Sequence, residues 1–256
     1  MELNERQRQI LNIINTEQFA TVEMLCGRIF ASPATIRRDL SVLEGKKAIK
    51  RTWGGAMPVV GSNQEIPHDI RLYRNSVQKM AIAETALRFI SNSSTIMLDS
   101  STTCAYLAQR LGTFSDLSVF TNGLDALSVL THLPSVKTII AGGTVTKGYE
   151  MRGSLTMRSV ESYNADLLFL SCCSVSTQSG VTFTDEDNAS IKQRMAQHAE
   201  KRILLCDSSK FDQSSFYKAF SLRDFDYIVC DTAPQNEELR RQMGDRLICS
   251  DGSHNK

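Results

Sequence analysis

The sequence is poor in the residues from which metal and redox centres are built. Its four histidines, His68, His132, His198 and His254, are spread along 256 residues, and it has no Cys-x-x-Cys pair, so the ligand spacings of a zinc site are missing. Seven cysteines form an odd, scattered set, which is not a disulfide framework and fits a reducing compartment. Cys172 and Cys173 are adjacent, but they close the apolar run that starts at Asp166, where cysteine behaves as a small hydrophobe rather than a redox centre. Long hydrophobic runs are missing too. The longest, around Leu167 to Val175, is too short for a bilayer, and Met1-Glu2-Leu3-Asn4-Glu5-Arg6 carries charge where a signal peptide needs an apolar stretch. A cytoplasmic protein with no membrane contact, metal or cofactor is expected. Charge of one sign is equally scarce: the net charge is only +1, and 41% of residues are hydrophobic. A chain of this length and composition has room for one small and one medium domain, each with an ordinary core.

What is present is concentrated first near the N-terminus. In Ser32-Pro33-Ala34-Thr35-Ile36-Arg37-Arg38-Asp39-Leu40, Ser32 is a good N-cap and Pro33 falls at the first helical position, where its missing N–H costs nothing. Ile36, Leu40 and Leu43 recur with helical spacing and form one apolar stripe. Arg37 and Arg38 cannot share that stripe and face outward beside Ala34 and Thr35, as in a recognition helix whose first turns enter a major groove. Upstream, Asn4 with Gln7 predicts a capping box for a helix carrying Ile10, Leu11, Ile13 and Ile14. Thr21 caps a second helix carrying Val22, Leu25 and Ile29, and only Phe30 and Ala31 separate it from Ser32, a tight helix-turn-helix connection. Downstream, Gly45 to Ala56 is Gly-punctuated and partly alternating, which predicts a β-hairpin wing. From Arg28 to Arg51 there are seven basic residues against two acidic ones, a local net charge of +5. The basic charge of a nearly neutral chain is thus gathered on one segment, as phosphate binding requires.

From Pro58 to about Asn75 the pattern weakens through Gly61-Ser62-Asn63-Gln64 and Pro67-His68 into a linker. Beyond it, β-rich runs at Thr95 to Leu98, Ser118 to Thr121, Val136 to Ala141, Asp166 to Leu170, Arg202 to Cys206 and Tyr227 to Cys230 alternate with helical stretches at Lys79 to Ile90, Cys104 to Leu111, Gly123 to Leu130, Ile191 to Lys201 and Glu237 to Met243. Such alternation predicts a mostly parallel, Rossmann-like α/β sheet with both faces covered, and ligands of such sheets bind beyond the carboxyl ends of the strands. The residues there are Asp99-Ser100-Ser101-Thr102-Thr103, Thr121-Asn122-Gly123, Gly142-Gly143 and Asp207-Ser208-Ser209-Lys210-Phe211. The first is a hydroxyl-rich loop opening a helix, suited to an anion. The glycines would let a ligand approach backbone amides, and Lys210 adds a cation. Each loop alone also reads as ordinary capping and turn chemistry; together they read as one pocket for a small phosphorylated, hydroxyl-rich ligand.

These motifs, in this order, with the wing ending Arg51-Thr52-Trp53-Gly54-Gly55-Ala56 and with Gly180-Val181-Thr182, make the chain resemble the DeoR family of bacterial transcriptional regulators over almost its whole length. The resemblance implies a winged helix-turn-helix over residues 1–58, a linker over 59–75 and, over 76–252, a sensor domain similar in fold to ribose-5-phosphate isomerase. It implies a regulator, in most members a repressor of a sugar or nucleoside catabolic operon, that answers to a phosphorylated intermediate. By that similarity Asp99, Ser100, Ser101, Thr102 and Thr103 line the phosphate loop, and Lys210 reaches the ligand. Three positions depart from the family pattern: Trp53 stands where His is frequent, Ser101 replaces a frequent Gly, and Ser171-Cys172-Cys173-Ser174 replaces a Gly-Asp-Gly type turn.

The expected partners are double-stranded operator DNA, a phosphorylated sugar effector and further copies of the chain, in a homodimer or larger homo-oligomer, because helix-turn-helix proteins read paired half-sites. DNA contacts are assigned to Ser32, Ala34, Thr35, Arg37 and Arg38 at the groove and to Lys46, Lys47, Lys50 and Arg51 on phosphates; effector contacts fall to residues 99–103, Asn122, Gly123, Gly142, Gly143 and Lys210. No catalytic residue is expected. The alternative is a sugar-phosphate isomerase carrying a DNA-binding domain, with Lys210 and Asp99 as acid and base; against it, the Cys172-Cys173 turn lacks the carboxylate that isomerases present there. Activation and repression differ only in where the operator lies.

Overall fold

In the computed structural model of the chain, which describes residues 3–59 and 66–252, the first helix α1 (Glu5–Glu17) opens at a complete capping box: the Gln7 N–H donates to Asn4 Oδ1 at 2.9 Å and the Asn4 N–H to Gln7 Oε1 at 3.2 Å. A two-residue strand, β1 (Ala20–Thr21), leads into α2 (Val22–Ile29), capped by Thr21 Oγ1 on the Met24 N–H at 3.1 Å. Phe30 stops it in the left-handed conformation, with φ +57°. Helix α3 (Pro33–Gly45) then starts at Ser32, as its cap chemistry predicts. The hairpin β2 (Ile49–Thr52) and β3 (Gly55–Pro58) turns through Trp53 and Gly54, and β1 joins it in a three-stranded sheet of order β1-β3-β2. Helix order plus hairpin make this a winged helix-turn-helix.

One apolar core unites these pieces: Ile10, Leu11 and Ile14 of α1, Leu25 of α2, Ile36, Leu40 and Leu43 of α3, and Ile49 and Ala56 of the wing. Asp39 adds a polar lock. Buried on α3, it accepts from Arg6 Nε at 2.5 Å and from Gln7 Nε2 at 3.0 Å, so the first turn of α1 is bonded to the middle of α3. Part of the stretch read as linker is ordered on this unit: residues 68–73 form α4 (His68–Tyr73), whose Ile70 enters the same core and whose Asp69 pairs with Lys46. Gly61-Ser62-Asn63-Gln64 lies outside the described residues.

The chain falls into two compact units, and the division lies between Ser76 and Val77. The second unit begins with α5 (Ser76–Ala86) and continues β4 (Thr95–Leu98), α6 (Thr102–Ala108), β5 (Leu117–Thr121), α7 (Leu124–Leu130) and β6 (Val136–Ile140). A small hairpin, β7 (Thr144–Val145) and β8 (Met151–Arg152), precedes α8 (Ser154–Glu161) and β9 (Ala165–Ser171). Then come β10 (Ser174–Ser176), β11 (Gly180–Phe183), α9 (Glu186–Gln197), β12 (Ala199–Leu205), β13 (Tyr217–Phe220), β14 (Tyr227–Cys230), α10 (Glu237–Met243) and β15 (Leu247–Cys249). Seven strands form one sheet of order β15-β14-β12-β9-β4-β5-β6, every pair parallel.

The strands read as continuous apolar runs because both faces are covered. In β9, Leu168 and Leu170 enter a core with Val160 of α8, Met195 of α9 and Leu239 of α10, while Leu167 and Phe169 enter another with Ile82 of α5, Leu107 of α6 and Leu130 of α7. The strand order reverses between β4 and β9, which makes their carboxyl ends the switch point of the sheet. Two parts of this unit were not foreseen. Helix α8 occupies a stretch to which the sequence reading assigned no element, and β10, β11 and β13 form a separate antiparallel sheet whose Val175, Val181 and Phe220 lie in the first core. Helix α9 also begins five residues before the expected Ile191, because Asp185 caps it through the Asn188 N–H at 2.9 Å.

Replacing Asp39 with alanine removes both bonds to α1 and leaves Gln7 Nε2 without the Asp39 acceptor. The expected cost is about 2 kcal/mol, or a ~30-fold larger open fraction. Native-state hydrogen exchange across α1 and α3 of the full chain measures it; protection equal to wild type would show that Asp39 does not join these helices.

Candidate functional sites

On the winged unit the apolar stripe of α3 faces inward and its other side is open. Ala34, Arg37 and Arg38 are exposed and Thr35 is half-buried. Ser32 is held by its capping role: its Oγ accepts from the Thr35 N–H at 3.3 Å and lies 2.9 Å from the Thr35 hydroxyl. Lys47 and Lys50 are exposed on the approach to the wing. Arg51 is anchored against α3, donating from Nη1 to Ser41 Oγ at 2.8 Å, while its backbone N–H reaches Glu44 Oε1 at 3.3 Å. Lys46 differs from its neighbours, since it is half-buried and its ammonium is paired with Asp69. Arg28, the first residue of the basic segment, meets Glu17 at 2.6 Å. Between α3 and the wing lies an open recess of about 290 Å3, lined by Arg37 and Leu40 on one side and Arg51 to Gly55 on the other.

In the second unit the loops after β4, β5, β6, β9 and β12 emerge on one end of the sheet, because those strands are parallel neighbours. Asp99 is the centre of this end. Its Oδ1 accepts from the Ser101 N–H and its Oδ2 from the Ser171 N–H, each at 2.8 Å, and the Lys192 ammonium pairs with Oδ2 while also donating to the Ser171 carbonyl at 3.1 Å. Both members of the pair are almost wholly buried. Burial pushes the Asp99 carboxyl upward, but the Lys192 charge and the bonds from Lys192, Ser101 and Ser171 outweigh it and hold the group below the usual carboxylate range. Lys210 donates to Ser171 Oγ at 2.9 Å and lies 3.3 Å from Asp207. Burial acts to lower its ammonium; Asp207 and the neighbouring cysteines overcome that and keep it above its ordinary value, hence charged.

Ser100 takes part in a second cluster. Its Oγ donates to Glu150 Oε2 at 2.5 Å, Asn188 Nδ2 reaches the same oxygen at 2.6 Å, and Arg152 bridges Glu150 to Asp185, at 2.6 Å and 2.7 Å. Ser101 caps α6 through the Cys104 N–H at 3.2 Å. Thr103 Oγ1 and Asn122 Oδ1 are buried and make no hydrogen bond within the described residues, although Asn122 Nδ2 donates to the Met151 carbonyl at 3.2 Å. Buried polar atoms of this kind call for a partner.

The glycines have a packing role that the sequence did not show. At Gly142 the N–H donates to Ser159 Oγ at 3.2 Å and the carbonyl accepts from Thr156 Oγ1 at 2.7 Å, and the space a side chain would need at Gly143 is filled by Thr156 and the Arg152 backbone. At Gly123 a Cβ would stand 2.8 Å from Ser100 Cα. The missing side chains therefore let loops of the protein pack on one another. Glu150, Arg152, Asp185, Asn188 and Lys192 escaped the sequence reading. Asp185, Asn188 and Lys192 had a signal, a polar stripe at i, i+3 and i+7 behind a helix cap. The small-hydrophobe reading holds for Cys172, which is buried in one core with Cys206, Cys230 and Cys249, its Sγ 3.9 Å from that of Cys206; it fails for Cys173, which is exposed just past the end of β9.

A carboxylate held below its unfolded value stabilises the fold at pH above ~4, and that contribution is lost as pH falls through the lower native value. Urea unfolding of the sensor unit within the full chain is expected to lose stability steeply below about pH 4. In Asp99→Asn the steep part flattens, and stability near neutrality drops by about 3–5 kcal/mol because Lys192 stays buried without its counter-charge. An unchanged pH profile in the variant would remove Asp99 from this role.

Known proteins place the chain. The DeoR-like helix-turn-helix domain model matches residues 6–59 and the DeoR C-terminal sensor domain model residues 74–232. An uncharacterized HTH-type transcriptional regulator of Bacillus subtilis, YulB, is 33% identical over 91% of this chain and 90% of its own length. The transcriptional repressor AccR of Agrobacterium fabrum is 31% identical over 93% and 96%, and the HTH-type transcriptional repressor GlcR of Bacillus subtilis 30% over the whole of both chains. Among solved structures, ribose 5-phosphate isomerase A of Methanocaldococcus jannaschii overlays 54% of this chain and 55% of its own with a TM-score of 0.40 at 14% identity. No helix among the described residues is long and apolar enough to cross a membrane. The two family models cover most of the chain in the order of its two structural units, and the chain belongs to the DeoR family of DNA-binding transcriptional regulators.

Proposed function

We propose that the chain represses a sugar or nucleoside catabolic operon and leaves its operator when a phosphorylated sugar occupies the sensor unit. The observation that carries this reading is the gathering of Ser100, Thr103, Asn122, Lys192 and Lys210 around the switch point of the parallel sheet, where α/β sheets take their ligands. Lys210, half-buried beside Ser171, supplies positive charge for a phosphate, and the unbonded Asn122 Oδ1 is suited to accept from a sugar hydroxyl. At the other end of the chain, Ala34, Thr35, Arg37 and Arg38 read base edges, while Lys47, Lys50 and Arg51 hold phosphates. Lys46, committed to Asp69, contributes less than its sequence position suggests. A homodimer or larger assembly presents two such heads to paired half-sites. The effector lowers DNA affinity by binding more tightly to the arrangement of heads that fits DNA poorly. An isomerase reading is disfavoured by Asp99, whose depressed pKa makes it a weak proton acceptor.

The DNA half is tested with Arg37→Ala and Arg38→Ala against a labelled duplex selected by the wild-type chain from a random pool. Each should lose about 10-fold or more in affinity by anisotropy, the scale of one bidentate base contact, with the thermal midpoint of the sensor unit unmoved. Wild-type affinity in both would take α3 out of the interface. For the effector half, a thermal-shift panel compares pentose and hexose phosphates, the free sugars and inorganic phosphate. At least one sugar phosphate is expected to raise the sensor midpoint by a few degrees, as about 2–3 kcal/mol of binding linkage does near saturation, and Lys210→Ala should abolish the shift. A panel in which no sugar phosphate stabilises the chain would end the phosphate reading.

A further inference from the structure

Four buried cysteines of the sensor unit stand in two pairs of like geometry. Cys172 and Cys206 follow the register pair Ser171–Leu205 of the parallel strands β9 and β12, and their Sγ atoms are 3.9 Å apart. Cys230 and Cys249 are themselves register partners on β14 and β15, with sulfurs 3.4 Å apart. Neighbouring strands run about 4.8 Å apart, within the Cα separations that a disulfide spans. Rotation of the thiols is therefore enough to bring either pair to bonding distance, and packing as a small hydrophobe does not exhaust what Cys172 can do.

Charge separates the two pairs. The groups acting on Cys172 are Cys206, the ammoniums of Lys210 and Lys192, and the Asp207 carboxylate. The bond with Cys206 and the two cations hold the Cys172 thiol below its ordinary value, although burial pushes the other way. Cys206 is pushed well above its own value by burial and by Cys172. Lys210 in turn feels three sulfurs, those of Cys172, Cys206 and Cys173. At the other pair the bond with Cys249, burial and the carboxylates of Asp231 and Asp251 all push Cys230 upward. The thiolate is the nucleophilic form of cysteine, so only the first pair combines a sulfur that ionises readily with a neutral thiol beside it. Cys172 is also the member nearer water, 7% exposed against 0% for Cys206, and it adjoins the exposed Cys173.

We infer that Cys172 and Cys206, beside Lys210, are a reversible oxidation site for a hydroperoxide, with Cys172 as the attacking sulfur and Cys206 as the resolving one. The Cys172 thiolate attacks one peroxide oxygen and the O–O bond breaks. The departing oxygen takes up the proton that Cys172 gave up and leaves as water or an alcohol. Cys206 then attacks the sulfenic sulfur: the S–S bond forms, the S–O bond breaks, and hydroxide leaves with the Cys206 proton as water. The two thiols together lose two electrons, and the peroxide gains them. The disulfide ties β9 to β12 one residue past Ser171, whose N–H donates to Asp99 and whose hydroxyl accepts from Lys210. It forms there whether or not an effector binds.

The test treats the reduced full chain with hydrogen peroxide, caps the remaining thiols with N-ethylmaleimide and reads the peptides by mass spectrometry. Oxidation of the exposed Cys173 shows that the dose was sufficient. The expected product is a Cys172–Cys206 link, reversed by dithiothreitol and formed ~10-fold or more faster than a Cys230–Cys249 link, the scale of one pKa unit in the attacking thiol. Cys206→Ser should leave Cys172 as a sulfenic acid that dimedone traps, and Cys173→Ser should link as wild type does. Lys210→Met is expected to move the pH profile of linking upward by about one unit, and Lys210→Arg to restore it. No Cys172–Cys206 link once Cys173 is oxidised, or equal linking of the other pair, overturns the site. A Cys206→Ser chain that takes up no dimedone at Cys172, or loss of the link in Cys173→Ser, overturns Cys172 as the attacking sulfur. An unmoved profile in Lys210→Met overturns the part given to Lys210.

Discussion

The buried pair of Asp99 and Lys192 is the constraint on which the sensor unit depends. Asp99 follows β4, Ser171 ends β9, and Lys192 comes from α9, so one carboxylate with its ammonium joins the two central strands at the point where the sheet order reverses and pins a helix across them. An ion pair in this position is weak evidence for stability, because both charges have left water. Its value is geometric. The same carboxylate takes the Ser101 N–H, which sets the start of the hydroxyl-bearing loop, and the loop in turn presents Ser100 to Glu150. The loops at this end of the sheet are thus held by side chains bonded to one another.

The winged unit repeats the device on a smaller scale. Asp39 on α3 is buried and fully engaged by α1, and this fixes the rotation of α3 about its axis. Rotation is what separates the apolar stripe of Ile36, Leu40 and Leu43 from the exposed Arg37 and Arg38. In both units a buried, fully engaged carboxylate fixes the placement of its neighbouring residues.

Basic charge is likewise sorted by the fold. The segment from Arg28 to Arg51 has a local net charge of +5, but Arg28 and Lys46 are paired with Glu17 and Asp69. The other five basic residues of the segment are exposed on α3, on β2 and in the turn between them.

Much of the architecture was legible because it is written locally. Ser32 and Pro33 start a helix through their own backbone chemistry, Asn4 and Gln7 form a box at fixed spacing, and continuous apolar runs such as Leu167 to Leu170 announce strands covered on both faces. Motif order sufficed for the family. Local pattern says nothing about partners far along the chain, and the sensor site is made of such partners: Asp99 with Lys192, Ser100 with Glu150 and Asn188, Gly143 with Thr156. The short strands β10, β11 and β13 were hidden for the same reason, since each is stabilised by a neighbour rather than by its own periodicity. The sequence alone thus determined the family and most of the elements, and it named the residues expected at DNA. Tertiary structure alone decided which charges remain exposed, why the loop glycines are needed and which side chains meet at the switch point, because those depend on strand register and helix rotation, quantities that only packing defines.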